Sequence, residues 1–131
     1  MEFVQWEPGR PETLTGVFNG CTAVLIVPPI KDRVDIGRFY IRQARQAGLK
    51  FICCIGVQHD DQRLLLSHEA NTVKEDLAAS GIPHCTLELP MFLENLLYQA
   101  TSIKKKGEFY YPCRPESRFS YVGCTDLGEV V

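Results

Sequence analysis

The run Ala23-Val24-Leu25-Ile26-Val27, stopped by Pro28-Pro29, decides how the rest of the chain is read. Unbroken apolar residues without polar alternation suit a strand covered on both faces, and the prolines cannot continue a ladder. A second such run is Lys50-Phe-Ile-Cys-Cys-Ile-Gly56, and a third runs from His84 to Leu89. Between the first two, residues 34–47 repeat at helical spacing, with Ile36, Tyr40, Ala44 and Ala47 on one face. Gly48 follows where a helix C-cap belongs. After a polar loop from Gln58 to Arg63, Ser67 is expected to cap a helix that reaches Ser80 and buries Ala70, Val73 and Leu77. Gly81-Ile82-Pro83 is a stop. Beyond the third strand, Phe92, Leu96, Ala100 and Ile103 share one helical face.

Strand and helix alternating with short links is the pattern of a parallel sheet wrapped by helices, with right-handed crossovers. The expectation is an α/β fold in one domain over residues 1–131, with three or four parallel strands and flanking helices. The ends are less regular. Residues 3–6 read as a short strand, and Arg10-Pro11-Glu12 opens a helix through Phe18. Residues 108–118 form a Pro- and Tyr-containing excursion. Phe119 to Val122 read as one more strand, and Thr125-Asp126 as the cap of a helix that barely begins.

Composition narrows the function classes. With 45% hydrophobic and 23% charged residues, the chain has the balance of an ordinary globular domain. Its formal charge is −2, and its Lys and Arg residues are scattered, which points away from nucleic acid and from an anionic membrane. The basic run Lys104 to Lys106 closes a helix, where cations suit the dipole. No apolar run approaches the roughly 20 residues of a spanning helix, and the N-terminus, with Glu2, Glu7 and no long apolar stretch, does not read as a signal peptide. The expected location is the cytoplasm. Of the six cysteines, Cys53 and Cys54 are strand neighbours facing opposite ways, and the others show no metal-ligand spacing. Reduced thiols are expected, and no metal site.

Four strings in order resemble the NmrA-like family of atypical short-chain dehydrogenases. They are GVFNGCTAVLIVPP, QARQAGLKFICCIGV, ASGIPHCTLELPMFLENLL and FSYVGCTDLGEVV, together spanning most of residues 13–131. The resemblance implies a Rossmann-like, NAD(P)-binding domain. Its members either reduce small molecules such as quinones with NADPH or sense the NADP state and regulate a partner. Carried over motif by motif, the cofactor-lining positions are Val27, Pro28 and Pro29 after the first strand, Gly56 and Val57 after the second, and Leu89, Pro90 and Phe92 after the third. Open parallel sheets bind ligands at the carboxyl ends of their strands, which agrees. The same prolines and glycines also serve simply to end strands.

The chain departs from the family in several places. The ten glycines form neither G-x-G-x-x-G nor G-x-x-G-x-x-G, so the turn that lets a backbone approach a pyrophosphate is not in this sequence. The alignment puts the family's first βαβ unit ahead of Met1 and more of its last helix beyond Val131, so a partial fold, truncated at both ends, is expected. Glu88 stands where the family carries Arg, a repulsive substitution beside a phosphate path unless it is a solvent-facing strand residue. Gly56-Val57 replaces the serine common near the second strand's end. The lysine many members carry at the next helix start is Ala70 or a neighbour here, and Lys74 comes one turn later. His68, with Glu69 beside it, is the candidate acid or base, and it also fits a solvated residue at a helix start. His59, Asp60, Asp61 and His68 have a loop spacing too common to define a metal cluster.

The functional expectation is a relative of NAD(P)H-dependent oxidoreductases, quinone-reductase-like, that is unable to bind NADP or NAD alone. The alternatives are a non-enzymatic NADP sensor or interaction module, or an inactive truncated product. The partners expected are a small-molecule substrate and, through the vacant edge of strand 23–27, a second copy of the chain. Residues 3–6 are the competing occupant of that edge, and poor solubility is the outcome if nothing fills it.

Overall fold

In the computed structural model, residues 4–5, 7, 10–58, 64–111 and 116–131 are described. The three apolar runs form one sheet. Strand β1 spans Ala23–Ile26, β2 spans Phe51–Val57 and β3 spans His84–Leu89, in the order β1-β2-β3. β1 and β2 are parallel, from Ala23 opposite Phe51 to Ile26 opposite Cys54. The Lys50 N–H donates to the Thr22 carbonyl at 2.8 Å, extending this ladder by one rung. The Ile52 N–H donates to the Pro83 carbonyl at 3.0 Å, where β3 begins.

Helix α1, Arg33–Ala47, joins β1 to β2, and α2, Leu65–Ala79, joins β2 to β3. Gly48 caps α1 in the left-handed region at φ 70°, its N–H donating to the Ala44 and Arg45 carbonyls, a conformation glycine adopts without a Cβ penalty. The core brings together Ile26, Ile52 and Cys54 of the sheet, Ala44 of α1, and Val73 and Leu77 of α2. Tyr40 and Ala47, expected on the same face of α1, pack partly buried against it. The two helices approach closely at Gly37, where a Cβ would stand 2.8 Å from a methyl of Val73. Both cover the face bearing Ile52 and Cys54; alternate residues Leu25 and Phe51 are exposed.

Several expectations need correction. Residues 10–18 do not form a helix: a 3-10 turn, Pro11–Leu14, gives way to turns, and Gly16, at φ 77°, lies outside helical space. Ser67 does not cap α2. Leu64, extended at φ −78° and ψ 126°, precedes the helix, and Ser67 lies inside it, buried, its hydroxyl without a hydrogen-bond partner among the described residues. Residues 4 and 5 adopt no strand, while residues 3 and 6 lie outside the described residues.

Residues Leu89–Val131 form a second compact unit. The face Phe92, Leu96, Ala100 and Ile103 is not one helix. It divides into strand β4 (Met91–Phe92), a 3-10 segment (Leu93–Gln99) and helix α3 (Ala100–Lys106). The interruption comes from strand pairing: β4 lies parallel to β5, Tyr121–Val122, with Met91 opposite Tyr121 and Phe92 opposite Val122. Helix α4, Cys124–Val130, then starts after Gly123 rather than at Thr125-Asp126. The Glu94 carboxylate accepts the Cys124 N–H at 2.8 Å.

Candidate functional site

Two of the three cofactor-lining groups lie at strand ends of the sheet unit. Val27, Pro28 and Pro29 follow β1, with Pro28 buried, Pro29 half-buried and Val27 63% exposed. Gly56 and Val57 end β2, both half-buried. A Cβ on Gly56 would meet the Thr86 methyl at 2.9 Å and Glu88 Cγ at 3.5 Å, so this glycine is required by the neighbouring strand's side chains. The third group is Leu89, which ends β3, with Pro90 and Phe92 after it, all half-buried.

Val27 also borders an apolar hollow of about 200 Å³, which Leu14, Phe18, Val24 and Tyr40 help to line. The Phe18 and Tyr40 rings meet with centroids 6.3 Å apart. Burial pushes the Tyr40 hydroxyl above the ordinary tyrosine range. This surface offers dispersion contacts to a flat or apolar group and little charge.

Charge near the strand ends comes from a residue to which the sequence motifs drew no attention. Arg33, the first residue of α1, is buried at 7% exposure, and its Nε has no hydrogen-bond partner among the described residues. Desolvation depresses its pKa, partly opposed by attraction to Cys54 and Glu69. Asp32 just before it takes a left-handed conformation at φ 55°, one that Asp tolerates better than most residues. The signal in the sequence was weak, because one Arg at a helix start is ordinary until its burial is known.

Glu88 is resolved by geometry. Its carboxylate ion-pairs with Lys74 of α2, so the two departures from the family pattern, an acid on β3 and a lysine one turn late, meet each other. Each side chain is about half exposed, which makes the pair worth at most about 1 kcal/mol. His68 is exposed in the first turn of α2. Its backbone carbonyl accepts the Thr72 hydroxyl at 3.0 Å. His59, Asp60 and Asp61 lie outside the described residues. No helix among the described residues is long and apolar enough to cross a membrane.

No protein-family model matches the chain. It is 28% identical over 124 residues to an NAD(P)H azoreductase of Xenophilus azovorans, covering 92% of this chain and 43% of that protein. Among solved structures it is similar to an NADPH-dependent quinone oxidoreductase of Escherichia coli complexed with NADPH. That match has a TM-score of 0.68 and 29% identity, and covers 79% of this chain and 38% of that one. It shares its fold with the triphenylmethane reductase of a Citrobacter species complexed with NADP(H), at a TM-score of 0.66 and 19% identity over 76% of this chain and 37% of that one. The chain thus spans less than half the length of these relatives. What it carries is part of the Rossmann-like α/β fold of NAD(P)-binding, oxidoreductase-type proteins, as its motifs had implied.

Proposed function

We propose that these residues supply part of a quinone-reductase-like NAD(P)H-dependent oxidoreductase domain of the NmrA-like kind, and that alone they do not hold the dinucleotide. The observation that supports this most is the β1-β2-β3 sheet, with Val27-Pro28-Pro29 and Gly56-Val57 at the carboxyl ends of its first two strands, the side where such sheets take ligands. These residues fit one portion of the cofactor only. Val27, Pro29 and Val57 offer an apolar wall suited to a flat ring. Pyrophosphate needs N–H donors from a Gly-rich turn at a helix N-terminus, and this sequence contains none of that spacing. The Glu88–Lys74 pair offsets the repulsion that the acid would otherwise add.

Calorimetric titration of the chain with NADPH is the test, and no saturable heat is expected up to millimolar nucleotide. Micromolar affinity would overturn the claim that these residues cannot bind it alone. Joining the chain to a Gly-rich βαβ unit taken from the quinone oxidoreductase is expected to restore binding.

A non-enzymatic NADP-sensing or interaction module is the second reading, favoured by the missing Gly-rich spacing. NADPH consumption with a quinone by that joined protein separates the two, since a sensor binds without turnover. The reading also takes the chain to work in the cytoplasm, supported by free thiols at Cys21, Cys53, Cys54, Cys85 and Cys124. It takes the edge of β1 not paired with β2 to promote self-association, as unpaired strand edges do. Sedimentation at rising concentration should show a growing dimer fraction, and a monomer at every concentration would remove that part.

A further inference from the structure

Cys53 lies on β2 and Cys85 on β3, neighbouring strands of the sheet. Successive strand side chains point to opposite faces. Ile52 and Cys54 are buried in the core against α1 and α2, so Cys53 points to the other face. On β3, Thr86 reaches toward Gly56 and Glu88 pairs with Lys74 of α2, which places Cys85, between His84 and Thr86, on that same other face. The Ile52 N–H donates to the Pro83 carbonyl at 3.0 Å, and this register brings Cys85 level with Cys53. Cys85 is near enough to raise the proton affinity of the Cys53 thiol. Both are free and half-buried. Leu25 and Phe51, at 44% and 40% exposure, leave this sheet face open to solvent.

We propose that Cys53 and Cys85 form a modification site, a dithiol that closes to an intramolecular disulfide by exchange with a low-molecular-weight disulfide such as oxidised glutathione. One cysteine loses its proton to solvent, and its thiolate attacks a glutathione sulfur. The glutathione S–S bond breaks and one glutathione thiolate leaves. The second cysteine, deprotonated in turn, attacks the mixed disulfide at the cysteine sulfur, forms the Cys53–Cys85 bond and expels the second glutathione thiolate. Two cysteine thiols are oxidised, one glutathione disulfide is reduced to two glutathiones, and these take up the two protons.

Backbone geometry permits the bridge. Neighbouring strands lie about 4.8 Å apart, inside the Cα separation of about 4.4–6.8 Å that disulfides span. Burial, and after it the neighbouring Cys85 and Cys54 thiols, push the Cys53 thiol up to about 11. Thiolate is therefore scarce near neutrality, which fits a slowly modified pair rather than a fast catalytic one. Among the described residues no third His, Cys, Asp or Glu joins the pair into a metal-binding group, which favours disulfide chemistry over tetrahedral zinc.

The test incubates the reduced 131-residue chain with excess oxidised glutathione under native conditions, quenches with acid, and maps the peptides by fragmentation that distinguishes Cys53 from Cys54. A Cys53–Cys85 link lacking two hydrogens is expected, with Cys21 and Cys124, both exposed, carrying separate glutathiones. Cys54→Ser should keep the link and Cys53→Ser should lose it. If the serine variants misfold, the fragment masses of the unaltered chain decide by themselves. The proposal is overturned if Cys85 links to Cys54, if Cys53 and Cys85 each carry their own glutathione, or if both remain free after Cys21 and Cys124 have reacted.

Discussion

Residues up to Glu88 and residues from Leu89 onward form two compact units, and similar apolar content has different fates in them. In the first, a sheet gives the helices something to cover, and Ala44, Ile52 and Leu77 are at most 1% exposed. In the second, the 3-10 segment, α3 and α4 bury no residue, and Leu97, Tyr98 and Val130 are at least 70% exposed. Local devices dominate there. Phe109 stacks on Tyr111, and Tyr111 meets Phe119 edge-on with centroids 5.5 Å apart. The Tyr110 N–H donates to the Gln99 side chain at 3.2 Å. An apolar helical face is thus only an offer of burial, and a layer across from it turns the offer into a core.

The largest effects should separate the units. Ile52→Ala or Leu77→Ala removes a fully buried side chain and is expected to cost about 2–5 kcal/mol in urea unfolding, or to abolish the cooperative transition. Leu97→Ala, at 71% exposure, should stay within about 0.5 kcal/mol. Equal losses at Leu97 and Leu77 would break the comparison.

The next effect uses glycine as a probe of packing. Gly37→Ala drives a Cβ to 2.8 Å from a methyl of Val73, which is itself 3% exposed and stiff. A loss of about 1–3 kcal/mol is expected, partly recovered by adding Val73→Ala, so the double-mutant cycle should show strong coupling. Gly128→Ala in α4 enters open space and should stabilise by up to about 1 kcal/mol through helix propensity. A destabilising Gly128→Ala would show that α4 packs more tightly than its exposure indicates.

The same contrast explains what was legible in the sequence. The sheet was readable because each strand is an apolar run ended by its own punctuation: Pro28-Pro29 after β1, and Gly81-Ile82-Pro83 before β3. Gly48 marked the end of α1 in the same way. The second unit was misread where tertiary pairing overrode helical period: Phe92 fits a helix face but pairs with Val122. Ser67 looked like a cap because a hydroxyl suits that role, yet burial of its position is set by the packing of α2, which no local pattern records. At the candidate site, motif order located the strand ends, but the Glu88–Lys74 pair and the placing of Cys53 beside Cys85 depend on register between distant segments. Register is a property of the assembled sheet.

The smallest effect is an alkaline one, and it again tests burial. Cys54 is 4% exposed, and desolvation, opposed by Arg33 and helped by Cys85, pushes its thiol from 9.0 up to about 11. The folded chain therefore keeps a proton that the unfolded chain releases. This contribution is complete below about pH 9 and is lost as pH rises toward about 11. Cys53, raised to about 11 as well, adds in the same direction. Urea midpoints should fall between about pH 9 and pH 11, and fall less steeply in Cys54→Ala. The slope with pH is the readout, because the substitution also leaves a small cavity that lowers every midpoint alike. Cys124 in the second unit is raised chiefly by its hydrogen bond to Glu94 and is exposed. Solvent screens that interaction, so Cys124→Ala should change the slope less than Cys54→Ala does. An equal change from the two substitutions would mean that burial in the sheet unit is not the source of the alkaline loss.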